Sequence, residues 1–168
     1  MRIGRSAIGF ALLVAVAAAG PAAADELMVA GRPGNAAPMT ADAIAALPAV
    51  TVAVSFETEH GPRHATFEGP LLWTVLDRAG VVDPAKGREQ AHQFITITGR
   101  DGYTAVLGLG EISPAFESKQ VILAERMDGQ ALGPEHLRVV VPGDAHGGRS
   151  VHDVVRLTVG STNADKVQ

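Results

Sequence analysis

"LRVVVPGDAHGGRSVHDVVRLTV", residues 137–159, consists of two apolar, β-branched runs joined by a long polar connection. Val-rich runs of this length, one ending at Pro142-Gly143 and the other starting after Asp153, read as strands. No helical crossover pattern lies between them, so this end of the chain is built by strand succession rather than by βαβ units. The connection carries the chemistry. Gly147-Gly148 admits positive φ and close backbone approach, and Arg149, Ser150 and His152 follow with a guanidinium fork, a hydroxyl and an imidazole. Arg138 stands at the start of the first run, at the other end of the same unit. Together they read either as an anion cradle or as a glycine-rich hairpin with a solvated arginine, and the residues alone leave both open.

Upstream the same pattern recurs. "ELMVAG" reads as a short strand, and "MTADAIAALPAV" as a short helix with Thr40 as its N-cap, Asp42 in the first turn and Pro48 as its stop. "TVAVSF" alternates as a strand and closes a hairpin, around Gly61-Pro62, onto "HATF". "GPLLWTVLDRAG" opens on Pro70, carries Leu71, Leu72, Val75, Leu76 and Ala79 on one stripe and ends at Gly80, a helix with a left-handed cap. "QFITIT" and "YTAVLGL" flank an Asp101-Gly102 hairpin signal, and "QVILAE", the turn "RMDGQA" and the two closing runs complete the set. "GRPGNAAP" reads as a surface loop and "STNADKVQ" as a frayed tail. Strands that follow one another with few helices between them predict an α+β domain of mixed sheets. A single core is expected from Leu72, Trp73, Leu76, Phe94, Ile95, Ile97, Val106, Ile122, Leu123, Val140 and Val155.

The 168 residues, 46% hydrophobic and 19% charged, suffice for one domain with one core. The first residues differ from the rest. "MRIGR" carries two arginines, an apolar run fills residues 7–19, and Ala22-Ala23-Ala24 offers small residues for cleavage before Asp25. Residues 1–24 therefore read as a signal peptide, residues 25–168 as the exported domain, and the periplasm as the expected compartment. The run is too short to span a bilayer and no later segment is longer, so no membrane anchor is expected. Losing Arg2 and Arg5 deepens a net charge that is already -4, which argues against nucleic acid as a partner. There is no cysteine, hence no disulfide, no thiolate nucleophile and no thiolate metal ligand.

Other constellations weigh less. His60 and His64 have a helical ligand spacing, but Gly61-Pro62 between them forbids the helix and places them about a turn. His92 and His136 read as surface residues. Ser55, Ser113, Ser118 and Ser150 lie in no nucleophile elbow, and His152, two positions from Ser150, is a distant base on an extended chain. The pairs Glu57/Glu59 and Glu111/Glu117 read as solvated edges.

Four blocks in order, "FEGPLLWTVLDRAG", "DGYTAVLGLGEI", "VILAERMDGQAL" and the stretch quoted first, give the chain a resemblance to the molybdopterin-binding domain of the sulfite oxidase family, running from Leu27 to Val159. The resemblance implies an α+β fold whose closing loops hold the pterin cofactor. It places Arg138 on a cofactor-contacting arginine, and "RSVH" on the family's Arg-x-Val-Lys run, so that Ser150 and His152 inherit cofactor-contacting positions beside Arg149. It sets Tyr103 on the tyrosine near the metal-bound oxygens, the one residue expected at a catalytic position.

The chain also departs from the family. The metal-ligating cysteine expected in "VAVSFETEHG" is absent, and Gly133 stands where a histidine is expected, with His136 nearby. Soft thiolate ligation of molybdenum is thereby lost, so a molybdopterin-type cofactor is compatible with the chain whereas molybdenum is not expected. Three classes of function stay open. One is an exported binding module for a small anionic or pterin-like ligand, with a periplasmic protein partner as a further expectation. The second is a molybdopterin-dependent oxidoreductase whose metal is held by the cofactor dithiolene alone, with Ser55, Thr58 or water completing the sphere. The last is a purely structural or interaction protein whose cleft is vestigial.

Overall fold

The computed structural model describes residues 26–31, 35–58 and 61–162. The expected signal peptide, its cleavage site, His60 and most of the C-terminal tail lie outside them. Eleven strands and four short helices form three sheets among the described residues. In chain order these are β1 (Leu27–Ala30), β2 (Ala36–Met39), α1 (Ala41–Ala45), β3 (Ala49–Thr58), β4 (Gly61–Pro70), α2 (Leu72–Arg78), α3 (Gly87–Gln90), β5 (Gln93–Gly99), β6 (Thr104–Gly108), α4 (Leu109–Ile112), β7 (Ile122–Ala124), β8 (Arg126–Met127), β9 (Gln130–Ala131), β10 (Arg138–Val140) and β11 (Val154–Ser161). The order is β2-β1-β11-β5-β6 in the largest sheet, β3-β4-β8-β9 in the second, and β10-β7 in a two-stranded ribbon. Among the described residues only β1 and β11 pair in parallel. This is the α+β architecture of mixed sheets that the strand succession predicts.

Local signals act where expected. Thr40 caps α1 by accepting from the Ala43 amide at 3.2 Å, and Gly80 ends the α2 segment at φ +69°. The β3–β4 hairpin closes on the pair Thr58 and Gly61, and Gly102 takes φ +84° in the β5–β6 turn.

The ribbon explains why the closing sequence is apolar without alternation. Ile122, Ala124 and Val140 face a small core under the β3–β4 hairpin, whereas Leu123, Val139 and Val141 face a large core between the main sheet and α2. A strand pair buried on both faces has no solvent side to fill with polar residues. The expected single core is thus two, divided by this ribbon.

Of the residues expected inside, Leu72, Leu76, Ile95, Ile97, Ile122, Leu123 and Val140 are buried. Val106 is 55% exposed, because it lies on the outer face of β6 between the buried Ala105 and Leu107. Phe94, Val155 and Trp73 are half-buried. The stretch expected as a loop runs into β2, whose "AAPM" has no strand propensity of its own and pairs because β1 templates it. Pro38 is tolerated there because β2 is the sheet edge.

Candidate functional site

The connection after β10 does not fold as an open glycine hairpin. Residues 147–149 form a single 3-10 turn, and neither Gly147 nor Gly148 has positive φ; Gly143 at +83° and Asp153 at +47° supply the left-handed positions instead. Arg149 does not point into open space. Its Nε and Nη2 donate to Asp144 at 2.9 and 2.7 Å, and its Nη1 donates to Glu111 at 3.0 Å. Glu111 also accepts from the Gly108 amide at 2.9 Å, so the guanidinium ties the loop to α4. The Asp144 hydrogen bonds hold the guanidinium more firmly charged than usual, and the same bonds push the Asp144 carboxyl below its ordinary range. Arg149, expected as the charge of an anion cradle, is neutralised within the protein. Glu111, read as a solvated edge, is one of the groups that neutralise it.

Tyr103, Ser150 and His152 do come together. With Asp101, Gly147 and Val151 they line a cleft of about 250 Å³. The Tyr103 hydroxyl donates to the Gly148 carbonyl at 2.6 Å, which fixes the ring at the mouth while leaving it 51% exposed. The Ser150 hydroxyl accepts weakly from the Val141 amide at 3.4 Å. His152 is pushed below its ordinary 6.5, first by desolvation and then by the charge of Arg138, against the opposing pull of Asp153 and Asp101.

Arg138 has no counter-charge in contact with it among the described residues. It extends from β10 on the small-core side, its guanidinium 5.1 Å from the centroid of the Phe67 ring. Its Nε is buried and has no hydrogen-bond partner. Burial, and secondarily the charge of Arg63 on β4, disfavour its charged form. An arginine side chain stays protonated in proteins, so the cost falls on the fold and is relieved by an anion. Arg63, Phe67 and Asp144 were missed as site residues. Arg63 and Phe67 share a face of β4 by period two, but only the packing of β10 against that hairpin brings them to Arg138.

The remaining candidates lie elsewhere. His136 is exposed and pairs with Asp153 at 2.9 Å and Glu135 at 3.4 Å; its hydrogen bond to Asp153 raises it above 6.5. Ser55 and His64 sit opposite each other on the outer face of the β3–β4 hairpin, beside Asp128. Phe56, one residue on, points the other way, toward Gly147. Ser55 therefore does not face the Tyr103 cleft. Among the described residues no cluster of three His, Cys, Asp or Glu side chains is disposed to hold a metal ion.

Residues 17–168 match the oxidoreductase molybdopterin binding domain. The chain belongs to this family. A solved structure similar to this molybdopterin-binding-family domain is the sulfane dehydrogenase SoxCD from Paracoccus pantotrophus, with 19% identity and a TM-score of 0.63. The likeness covers 84% of this chain and 40% of the SoxCD chain, so the domain spans well under half the length of that neighbour. At this identity the likeness bears on the fold, and it agrees with the mixed-sheet architecture described above. No curated protein matches the chain. No helix among the described residues is long and apolar enough to cross a membrane.

Proposed function

We propose that this member of the molybdopterin-binding family is an exported periplasmic domain that holds a pterin-type or other oxyanionic ligand, without thiolate-ligated molybdenum chemistry. The observation that carries the reading is Arg138, a half-buried guanidinium with an orphaned Nε and a second arginine for a neighbour. Arg138 supplies a fixed charge near enough to the cleft to act on His152. Ser150 offers a hydroxyl, His152 an imidazole that becomes charged in acid, and Tyr103 walls the mouth. Arg149 serves as scaffold, because Asp144 and Glu111 occupy its donors.

These groups fit the phosphate end of a molybdopterin. The cleft of about 250 Å³ is below the roughly 300–1,000 Å³ of sites that enclose a drug-sized ligand, so a pterin ring would lie partly outside it. Molybdopterin, when bound, supplies a dithiolene able to carry a metal and its redox chemistry. The chain's own residues would anchor the phosphate and orient the ring against the loop of residues 143–150. A periplasmic protein partner belongs to the same reading, as the recipient of the held ligand.

The test is calorimetric titration with a phosphate-bearing pterin, with inorganic phosphate and with sulfate. Wild type should bind at least one of them, and Arg138→Gln should lose about 1.5–3 kcal/mol of affinity, or roughly 10- to 150-fold. Equal binding by both proteins refutes the reading. Family membership favours a second reading, an active oxidoreductase whose metal is held by the dithiolene alone. Stoichiometric molybdenum in protein purified from its native host would establish that alternative and overturn the non-redox proposal.

A further inference from the structure

Strand β3 is a sheet edge with no guard. It is ten residues long and pairs only with β4. The phase of its hydrogen bonds follows from its neighbours. The Glu57 amide donates outward to the Ala145 carbonyl, and the Thr66 and Glu68 carbonyls of β4 accept from the β8 side. Even-numbered residues of β3 therefore bond to β4, and odd-numbered ones turn their N–H and C=O groups outward. Glu57 is satisfied by Ala145, which leaves Ala49, Thr51, Ala53 and Ser55 as a row of open ladder positions.

Natural sheets blunt such edges with charge, proline, bulges or extreme shortness. The other edges here show those devices: β2 carries Pro38, β9 has two residues, and β6 is flanked by the 3-10 turn of residues 147–149. From Ala49 to Phe56 β3 has no charged residue and no proline. Its inward-facing Val52 is buried, but Val50 and Val54 on either side of it remain half-exposed, so the small core is incompletely covered at two points of this edge.

We infer that β3 is an interface with a second copy of this chain, paired antiparallel about a two-fold axis through Val52. The open set is symmetric about that residue. Ala49 of each copy exchanges both main-chain bonds with Ser55 of the other, and Thr51 with Ala53. Val52 then faces Val52, and Val50 faces Val54, as close non-hydrogen-bonded pairs that extend the small core across the seam. Glu57, the first charge on the strand, stays outside the paired segment with its own partner Ala145. The two second sheets become one continuous sheet. Each candidate anion site lies toward an outer end of the seam, where Phe56 approaches Gly147.

Sedimentation velocity of the purified full chain over a concentration series should show reversible monomer–dimer exchange. Ala53→Pro removes an outward N–H that β4 does not use, and Ala53→Lys puts two ammonium groups diagonally across the seam. Each should weaken dimerisation by about tenfold or more while leaving the melting temperature of the monomer unchanged. The cysteine-free chain allows a register test: Val52→Cys should cross-link on oxidation, because its partner is itself, whereas Val50→Cys should not. A monomer at every concentration, a dimer unaffected by both Ala53 substitutions, or cross-linking at 50 rather than 52 overturns the inference.

Discussion

Replacing Arg149 by glutamine separates its structural role from ligand binding, and the magnitude follows from its contacts. Two of its nitrogens engage Asp144 at 2.7 and 2.9 Å and a third engages Glu111 at 3.0 Å. Hydrogen bonds to charged groups contribute about 1.5–3 kcal/mol when well shielded, but exposed ion pairs contribute only about 0.2–1 kcal/mol. The Arg149 side chain is 36% exposed and that of Asp144 17%, an intermediate setting. A coupling of about 1–2 kcal/mol between Arg149 and Asp144 is therefore expected from the double-mutant cycle of Arg149→Gln and Asp144→Asn. Denaturant unfolding measures it, and for a chain of this size it corresponds to a loss of roughly 2–8 °C in Tm. The ion pair depresses the Asp144 pKa, so the folded state binds fewer protons there than the unfolded chain. The stabilisation is thus present above the ordinary value of 3.8 and is lost as pH falls through the lower folded value. Calorimetric titration of the same variants with phosphate should show that Arg149→Gln leaves affinity within about twofold of wild type, unlike Arg138→Gln. If Arg149→Gln abolishes binding while its unfolding curve is unchanged, the assignment of these two arginines is reversed and the reasoning fails.

Gly69→Ala should prevent stable folding, since an added Cβ would lie 2.1 Å from the Leu123 carbonyl oxygen and 2.9 Å from the Ala124 Cα, both backbone atoms of β7; a melting temperature within error of wild type would refute this. Leu76→Ala should cost about 2–5 kcal/mol and Val106→Ala less than about 0.5 kcal/mol, because the first is fully buried and the second lies on the outer face of β6; chemical denaturation would show any reversal. Sulfate, whose charge is constant over this range, should bind with unchanging affinity while His152 stays neutral and more tightly as pH falls below the ordinary 6.5, because desolvation and then Arg138 lower the His152 pKa, with Asp153 and Asp101 opposing. His152→Gln should flatten that profile, and a profile unchanged in the variant removes His152 from the site.

The one-dimensional pattern determined the elements whose causes are local. Thr40 caps α1, Gly80 ends the α2 segment, Gly102 turns β5 into β6, and the unbroken valines of β10 announce a strand. Each depends on a propensity, a cap or a φ angle belonging to a few adjacent residues. The blocks that carry the family resemblance were legible for the same reason, being contiguous. The resemblance singles out Tyr103, Ser150 and His152, and these three line one cleft.

What only the tertiary structure decided depends on groups distant in sequence. "AAPM" becomes β2 because β1 offers it a ladder, and Val140 and Val139 enter different cores because the ribbon separates them. Charge is the sharpest case. Arg149 and Arg138 are equivalent cations in the sequence, but α4 brings Glu111 to one while β4 brings Arg63 and Phe67 to the other. Whether a charged side chain is spent or available is a property of its surroundings: a guanidinium gains or loses by what lies within a few ångströms of it. Residue type and spacing do not carry that information until the sheets have packed.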